Sequence, residues 1–253
     1  MSIDVAVVGA PFLDIVFAGL PEPVTPGREV IARALHVGPG GTAMQAIAAS
    51  REGATVALVA PRAGDFFAGL LETVVAAEGI RWIGPGAEGT SVTAVLHTRD
   101  GTAMVTAAGR EEPSPADVAE ADPRAVVVSL GRRWLAPADA SVYAVTGRVE
   151  IDAGASLDAA AGAAALIVND AEAAALTGHD DPEDAARRLA DVAAIAIVTV
   201  GAAGAIAVAG GEVVRVRPSV ASTGDATGAG DVFAGSFAAS HVLGVPLPAA
   251  LER

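Results

Sequence analysis

The chain has 253 residues, 52% hydrophobic but only 4% aromatic, so the length suits one α/β domain whose core Ala, Val, Leu and Ile must fill. A formal charge of −14 with 16 scattered basic residues excludes a surface built to hold a nucleic-acid backbone, which needs clustered cations. There is no cysteine and every basic residue is arginine, which excludes thiol nucleophiles, Cys-based metal sites, Schiff-base enzymes and lysine-dependent phosphate loops of the Walker type.

Ile3 to Gly9 reads as a largely buried first strand ending on a loop glycine. Pro11 to Gly27 holds four prolines and is expected to be irregular or edge structure. Val30 to Val37 alternates apolar and polar residues, the pattern of a strand with one wet face. Gly38-Pro39-Gly40-Gly41 then leads into an Ala-rich helix over Ala43 to Ser50, and Thr55 to Ala60 is a second buried strand, which makes a parallel strand–helix–strand unit. Phe66 to Gly79 suits a helix, and Val92–His97 with Thr102–Ala107 flank Arg99-Asp100-Gly101 as a hairpin. Further strands are expected near 125–130, 165–168 and 195–200, a helix near Pro182–Asp191, a hairpin over Ile206–Val216 and a helix opening after Gly230. No apolar run reaches the ~18–20 residues that span a bilayer, and the first residues lack a basic stretch followed by an apolar one. A soluble cytoplasmic protein with no membrane partner is the expectation.

The densest chemistry lies between Ser222 and Phe237. Small residues at 228–230 let the backbone approach a ligand, and a helix opening there aims unpaired N–H groups at an anion. Asp231 falls in the first turn, where a carboxylate can take a proton from an alcohol while the N–H groups hold a phosphoryl group. The same residues also suit a plain capped turn. The histidines at 36, 97, 179 and 241 share no metal-ligand spacing and are expected to be structural or exposed; His36 and His97 fall on candidate lid strands. No Gly-x-Gly-x-x-Gly follows the first strand, which weakens a dinucleotide-binding reading.

Asp225-Ala226-Thr227-Gly228-Ala229-Gly230-Asp231, with Phe233 and Gly235 after it, resembles the C-terminal signature of the ribokinase-like (PfkB) carbohydrate kinases. Gly38 to Gly41, the Ala-rich helix, Arg51-Glu52-Gly53-Ala54 and Gly64-Asp65-Phe66-Phe67-Ala68-Gly69 resemble the N-terminal signature. Asn169-Asp170-Ala171-Glu172 is similar to the family's Asn-x-x-Glu motif, and Thr199 to Gly204 resembles the strand-end loop that meets the nucleotide. The resemblance implies a ribokinase-like doubly wound α/β/α sandwich: one domain over 1–253, with a small β-sheet lid formed from about 12–37 and 91–108.

It also implies ATP- and Mg2+-dependent transfer of the γ-phosphoryl group to a primary hydroxyl of a sugar or sugar-like polyol. Asp231 would be the base, and the backbone of Gly228, Ala229 and Gly230 the anion hole. Asp14, Gly40 and Gly41 match substrate-contacting positions, and a carboxylate at 14 suits a polyol because it accepts two hydroxyl hydrogen bonds. Where the family usually has Asn, Gln45 or, in the other register, Met44 stands. Asn169, Glu172, Thr199, Gly201 and Gly204 match ATP-binding positions, Glu172 also organising Mg2+ indirectly. Asp225 and Thr227 match positions that bind a monovalent cation, potassium (K+), in some members; otherwise they shape the turn. Open strand edges on the lid suit a homodimer by strand addition.

The stretch from Leu130 to Leu166 is short for a strand–helix–strand unit, and its Arg132, Arg133 and Trp134 are expected at the surface. Only 22 residues (253 minus 231) follow Asp231, few for closing an adenine pocket. Two alternatives stay open: a nucleoside kinase of the same fold with Phe12, Phe17 or Trp134 under the base, and a non-catalytic sugar- or nucleotide-binding relative.

Overall fold

The first strand, β1 (Ile3–Val8), shows how the molecule is layered. Val5 and Val7 enter one apolar cluster and Ala6 and Val8 another, because successive side chains of a strand point to opposite faces. A strand apolar on both faces belongs inside a parallel sheet covered by helices on each side. That sheet is what forms, in a computed structural model that describes residues 2–99, 101–218 and 227–253.

In chain order the elements are β1, β2 (Pro11–Leu20), β3 (Ala34–Gly41), α1 (Thr42–Arg51), β4 (Val56–Val59), α2 (Phe66–Ala77), β5 (Arg81–Ile83), β6 (Ser91–Thr98) and β7 (Gly101–Ala107). They continue with α3 (Pro115–Ala121), β8 (Pro123–Ser129), a 3-10 turn over Leu130–Leu135, β9 (Ser141–Val145), α4 (Arg148–Asp152), a 3-10 turn over Leu157–Ala160, β10 (Ala165–Asn169), α5 (Asp170–Thr177) and α6 (Pro182–Leu189). The chain closes with β11 (Ile195–Thr199), a 3-10 turn over Gly201–Ala203, β12 (Ala205–Ala209), β13 (Glu212–Val216), α7 (Ala229–Val242) and α8 (Leu247–Leu251).

Nine strands make the large sheet, in the order β13-β12-β11-β10-β9-β8-β1-β4-β5. All its pairings are parallel except β11–β12 and β12–β13, where the hairpin turns at Gly210-Gly211. α1, α7 and α8 contribute to one apolar layer through Ala46, Phe237 and Leu251; α3, α5 and α6 contribute to the other through Val118, Ala173 and Leu189. The parallel strands therefore end on one common edge, where open α/β sheets hold ligands.

A separate sheet has the order β3-β2-β6-β7. Leu13 on β2 packs with Ala43, Leu71, Trp82 and Val92, which seats one end of this sheet on the main body. No helix of the described residues is long and apolar enough to cross a membrane.

Residues 11–20 are not irregular, contrary to expectation, but the longest strand of the small sheet, paired on both sides. Only Pro11 of the four prolines lies in it, at its first position, where a missing N–H is tolerated; Pro21, Pro23 and Pro26 come after its end. Gly38 to Gly41 is strand rather than turn, and Pro39 fits because β3 is an edge. The short stretch before β10 contains an unexpected strand, β9, since compact 3-10 turns and the five-residue α4 replace full-length connecting helices.

Candidate functional site

Asp231 stands in the first turn of α7, which opens from Gly228 at φ +76°, a left-handed conformation that suits glycine. The Val232 N–H is bonded to the Gly228 carbonyl at 2.9 Å, so the N–H groups ahead of it have no partner within the helix. Gln45, buried on α1, donates from Nε2 to Asp231 Oδ1 at 2.7 Å. Met44 is the neighbour that packs beside Gly228.

From the small sheet, β2 contributes Asp14. Its carboxyl folds over Gly40 so closely that a Cβ there would come within 2.2 Å of Asp14 Oδ2, so a side chain at position 40 would displace the Asp14 carboxyl. Gly41 lies against the Phe12 ring in the same way, with a would-be Cβ 2.7 Å from Phe12 Cδ2.

The carboxyls of Asp14, Asp231 and Glu172 come from three elements and bear on one another. Burial, and then the charge of Asp231, pushes Asp14 up to about 6. Burial also raises Asp231, and the Gln45 amide works in the opposite direction. Glu172 is raised by burial, lowered by its bonds to Asn169 and raised again by Asp231 and Asp170.

Asn169 ends β10 and caps α5: its Oδ1 accepts from the Glu172 N–H at 2.8 Å, and Glu172 Oε2 accepts from the Asn169 N–H at 2.9 Å. Thr199, at the end of β11, lies in register with Asn169, and Gly201 and Gly204 bracket the turn that follows. All five residues with an expected ATP role thus gather at the ends of two adjacent strands.

Between the groups of Asp14 and Asn169 runs a cleft over the ends of β1, β8 and β9, lined by Val8, Phe12, Gln45, Ser129, Arg132 and Val145 among others. Arg132 departs from its expected surface position. It donates to Glu112 at 2.6 and 2.5 Å, to Glu150 Oε1 at 3.3 Å and to Ser129 Oγ at 3.4 Å, so its charge is already matched. The only signal in the sequence was its position just past a buried strand. Arg133 has a buried Nε with no hydrogen-bond partner. Of the three candidate aromatic platforms, Phe12 lines the cleft, whereas Trp134 is 64% exposed and Phe17 lies on the outer part of β2. A second cavity lies around Leu71, Trp82 and Ser91; the linings of both cavities leave out the three carboxyls.

His97 on β6 reaches across to the turn before α7, with Nε2 3.0 Å from Thr227 Oγ1 and Nδ1 2.8 Å from Thr102 Oγ1. His241 meets the Tyr143 hydroxyl at 2.6 Å, and His36 and His179 are exposed. Asp225 lies outside the described residues, so only Thr227 of the expected cation pair has a place. Among the described residues no cluster of three or more His, Cys, Asp or Glu side chains is arranged to hold a metal ion.

Residues 4–253 match the family model described as pfkB family carbohydrate kinase. A ribokinase from Thermotoga maritima superposes with a TM-score of 0.82 at 21% identity, over 99% of this chain and 89% of its own. The Arabidopsis thaliana ribokinase solved with ribose and ATP gives 0.77 at 20% identity, over 99% and 89%. The adenosine kinase of Sinorhizobium meliloti gives 0.78 at 19% identity, over 100% and 91%. No curated protein matches the sequence.

Proposed function

The chain belongs to the pfkB family of carbohydrate kinases, and from that membership we propose that it transfers the γ-phosphoryl group of ATP to a primary hydroxyl of a sugar or sugar-like polyol. The observation that carries this reading is the meeting of Asp14, Gln45 and Asp231 at the mouth of α7, with the glycines that make it possible. Asp14 accepts hydrogen bonds from acceptor hydroxyls and fixes which one faces Asp231. Asp231 takes the proton of that hydroxyl as its oxygen bonds to phosphorus; the bond to the bridging oxygen breaks, and ADP leaves with the electron pair. The N–H groups of Gly228, Ala229 and Gly230 face the charge that builds on the transferred group.

Three carboxyls and no lysine make this a poor place for bare triphosphate. A dication answers that difficulty, and the chemistry fits an indirect role: Glu172, a carboxylate whose orientation the Asn169 cap fixes, would organise the ion through its water ligands. Magnesium, when bound, supplies neutralisation of phosphate charge. Asn169, Thr199, Gly201 and Gly204 would hold the nucleotide at the adjoining strand ends. The small sheet would act as a lid, keeping water from the phosphoryl group.

A nucleoside acceptor is the second reading, favoured by Phe12 in the cleft wall and by the adenosine kinase among the structural neighbours. ADP release measured over a panel of sugars and nucleosides decides between the two. Asp231→Asn is expected to lower turnover of the best acceptor by about 10²–10⁴-fold with little change in ligand affinity. Retention of most of the wild-type rate would remove Asp231 from its role.

A further inference from the structure

Asp231 and Gly235 lie four residues apart and so share one face of α7, the face turned to α1. At Gly235 the two helices touch backbone to backbone: a Cβ there would come 2.1 Å from the Gln45 carbonyl oxygen and 2.9 Å from Gln45 Cα. The main chain of Gln45 is thus fixed against Gly235, and its side chain runs one turn back along α7 to reach Asp231 Oδ1 at 2.7 Å. Only the amide nitrogen can face an ionised carboxylate oxygen at that distance. A side chain one methylene shorter would end about 1.5 Å short.

Resting on the kinase reading, we propose that Gln45 is the positioning residue of the base: its amide occupies one carboxylate oxygen of Asp231, fixes the plane of the group and leaves the other oxygen for the acceptor hydroxyl. This differs from the role that the resemblance implies, in which position 45 binds the acceptor. The electrostatics of the pocket give the contact its value. Burial disfavours the charged form of Asp231, and its charge in turn raises Asp14 on β2 and Glu172 on α5, so all three carboxyls share one crowded field. Arg132 offers little relief, since Glu112 and Glu150 already hold it. The Gln45 amide is the donor that favours the ionised, proton-accepting state.

Gln45→Met keeps the approximate volume and removes the donor. Without it Asp231 holds its proton to higher pH, so the deficit in kcat is expected to be largest at the acid end of the pH range, up to about tenfold, and to shrink as pH rises. The KM of the acceptor should hardly change. A deficit that is uniform across pH, or a raised acceptor KM on an unaltered kcat profile, would overturn the proposal.

A second measurement needs no substrate. In protein carrying 13C at aspartate carboxyls, the resonance lost in Asp231→Asn should titrate at higher pH in Gln45→Met than in wild type; coincident curves would overturn the proposal. If Gln45→Met does not fold, Gln45→Asn, whose amide stops short of Asp231, takes its place with the same outcomes. Absence of ADP release by the wild type with every acceptor would sink the kinase reading instead, and the titration would still test the contact.

Discussion

At pH 7 the ionised carboxyl of Asp14 costs the fold stability, since burial and the nearby Asp231 push it up to about 6 from an ordinary 3.8. Between these values the folded protein binds more protons than the unfolded chain, so stability falls as pH rises through the window. Two pK units would amount to about 3 kcal/mol, but the group is partly open to solvent and screening reduces this to about 1 kcal/mol. Asp14→Asn should therefore raise Tm at pH 7.5 by roughly 2–4 °C, with the gain vanishing near pH 4. The same variant should raise the acceptor KM and leave that of ATP alone, as read from initial rates. A variant no more stable at pH 7.5 than at pH 4 would show that Asp14 is not strained. A group kept against the interest of stability belongs to a functional site more readily than to a scaffold.

At the scale of elements, the α1–α7 crossing places the chemistry, and Gly235 permits it. Gly235→Ala should cost about 1–3 kcal/mol through overpacking, seen as a lower denaturant midpoint at unchanged slope. Its kcat should fall further than that of a surface control in α7, because the shift separates Gln45 from Asp231. If the midpoint holds, the backbone contact is looser than 2.1 Å implies.

What the sequence made legible follows from the range of each signal. The cores of β4, β10 and β11 and the β12–β13 hairpin were expected because apolar runs and turn glycines are local. So was the first turn of α7; the Asn169–Glu172 capping box was just as local, but the resemblance presented those residues only as a nucleotide motif. The residue pattern alone hides β2, because three prolines cluster just beyond its end, and only the resemblance's lid over about 12–37 makes room for it; β9 is hidden because the stretch before β10 is too short for a full connecting helix. Gln45 and Asp231 are 186 positions apart, and Arg132 is tied to acids 20 and 18 positions away, so neither pairing has a local signature.

At the scale of the whole molecule, the small sheet leaves one surface unexplained. The pairing register sets Val37, Ile15, Ala94 and Val105 in one row and Leu35, Phe17, Leu96 and Ala103 in the next, all on the face opposite Asp14. Near its base this face is buried, since Leu13 and Val92 join the cluster with Leu71 and Trp82. Toward its tip it is open: Leu35 is 57% exposed, Val37 51% and Val105 66%. Two apolar rows in water form the kind of patch that soluble chains usually cover. We propose that a second copy covers it through a two-fold contact of this face, instead of the strand addition that the open lid edges suggest, since a self-complementary apolar face is a common route to a closed dimer. Sedimentation equilibrium at micromolar concentration should then give twice the chain mass for the wild type and the single-chain mass for Val37→Glu with Val105→Glu. Neither position touches the cleft, so ADP release per chain at saturating acceptor should change less than the association does. A wild-type protein that sediments as a single chain would leave the lid to close without a partner, and the kinase reading would stand unaltered.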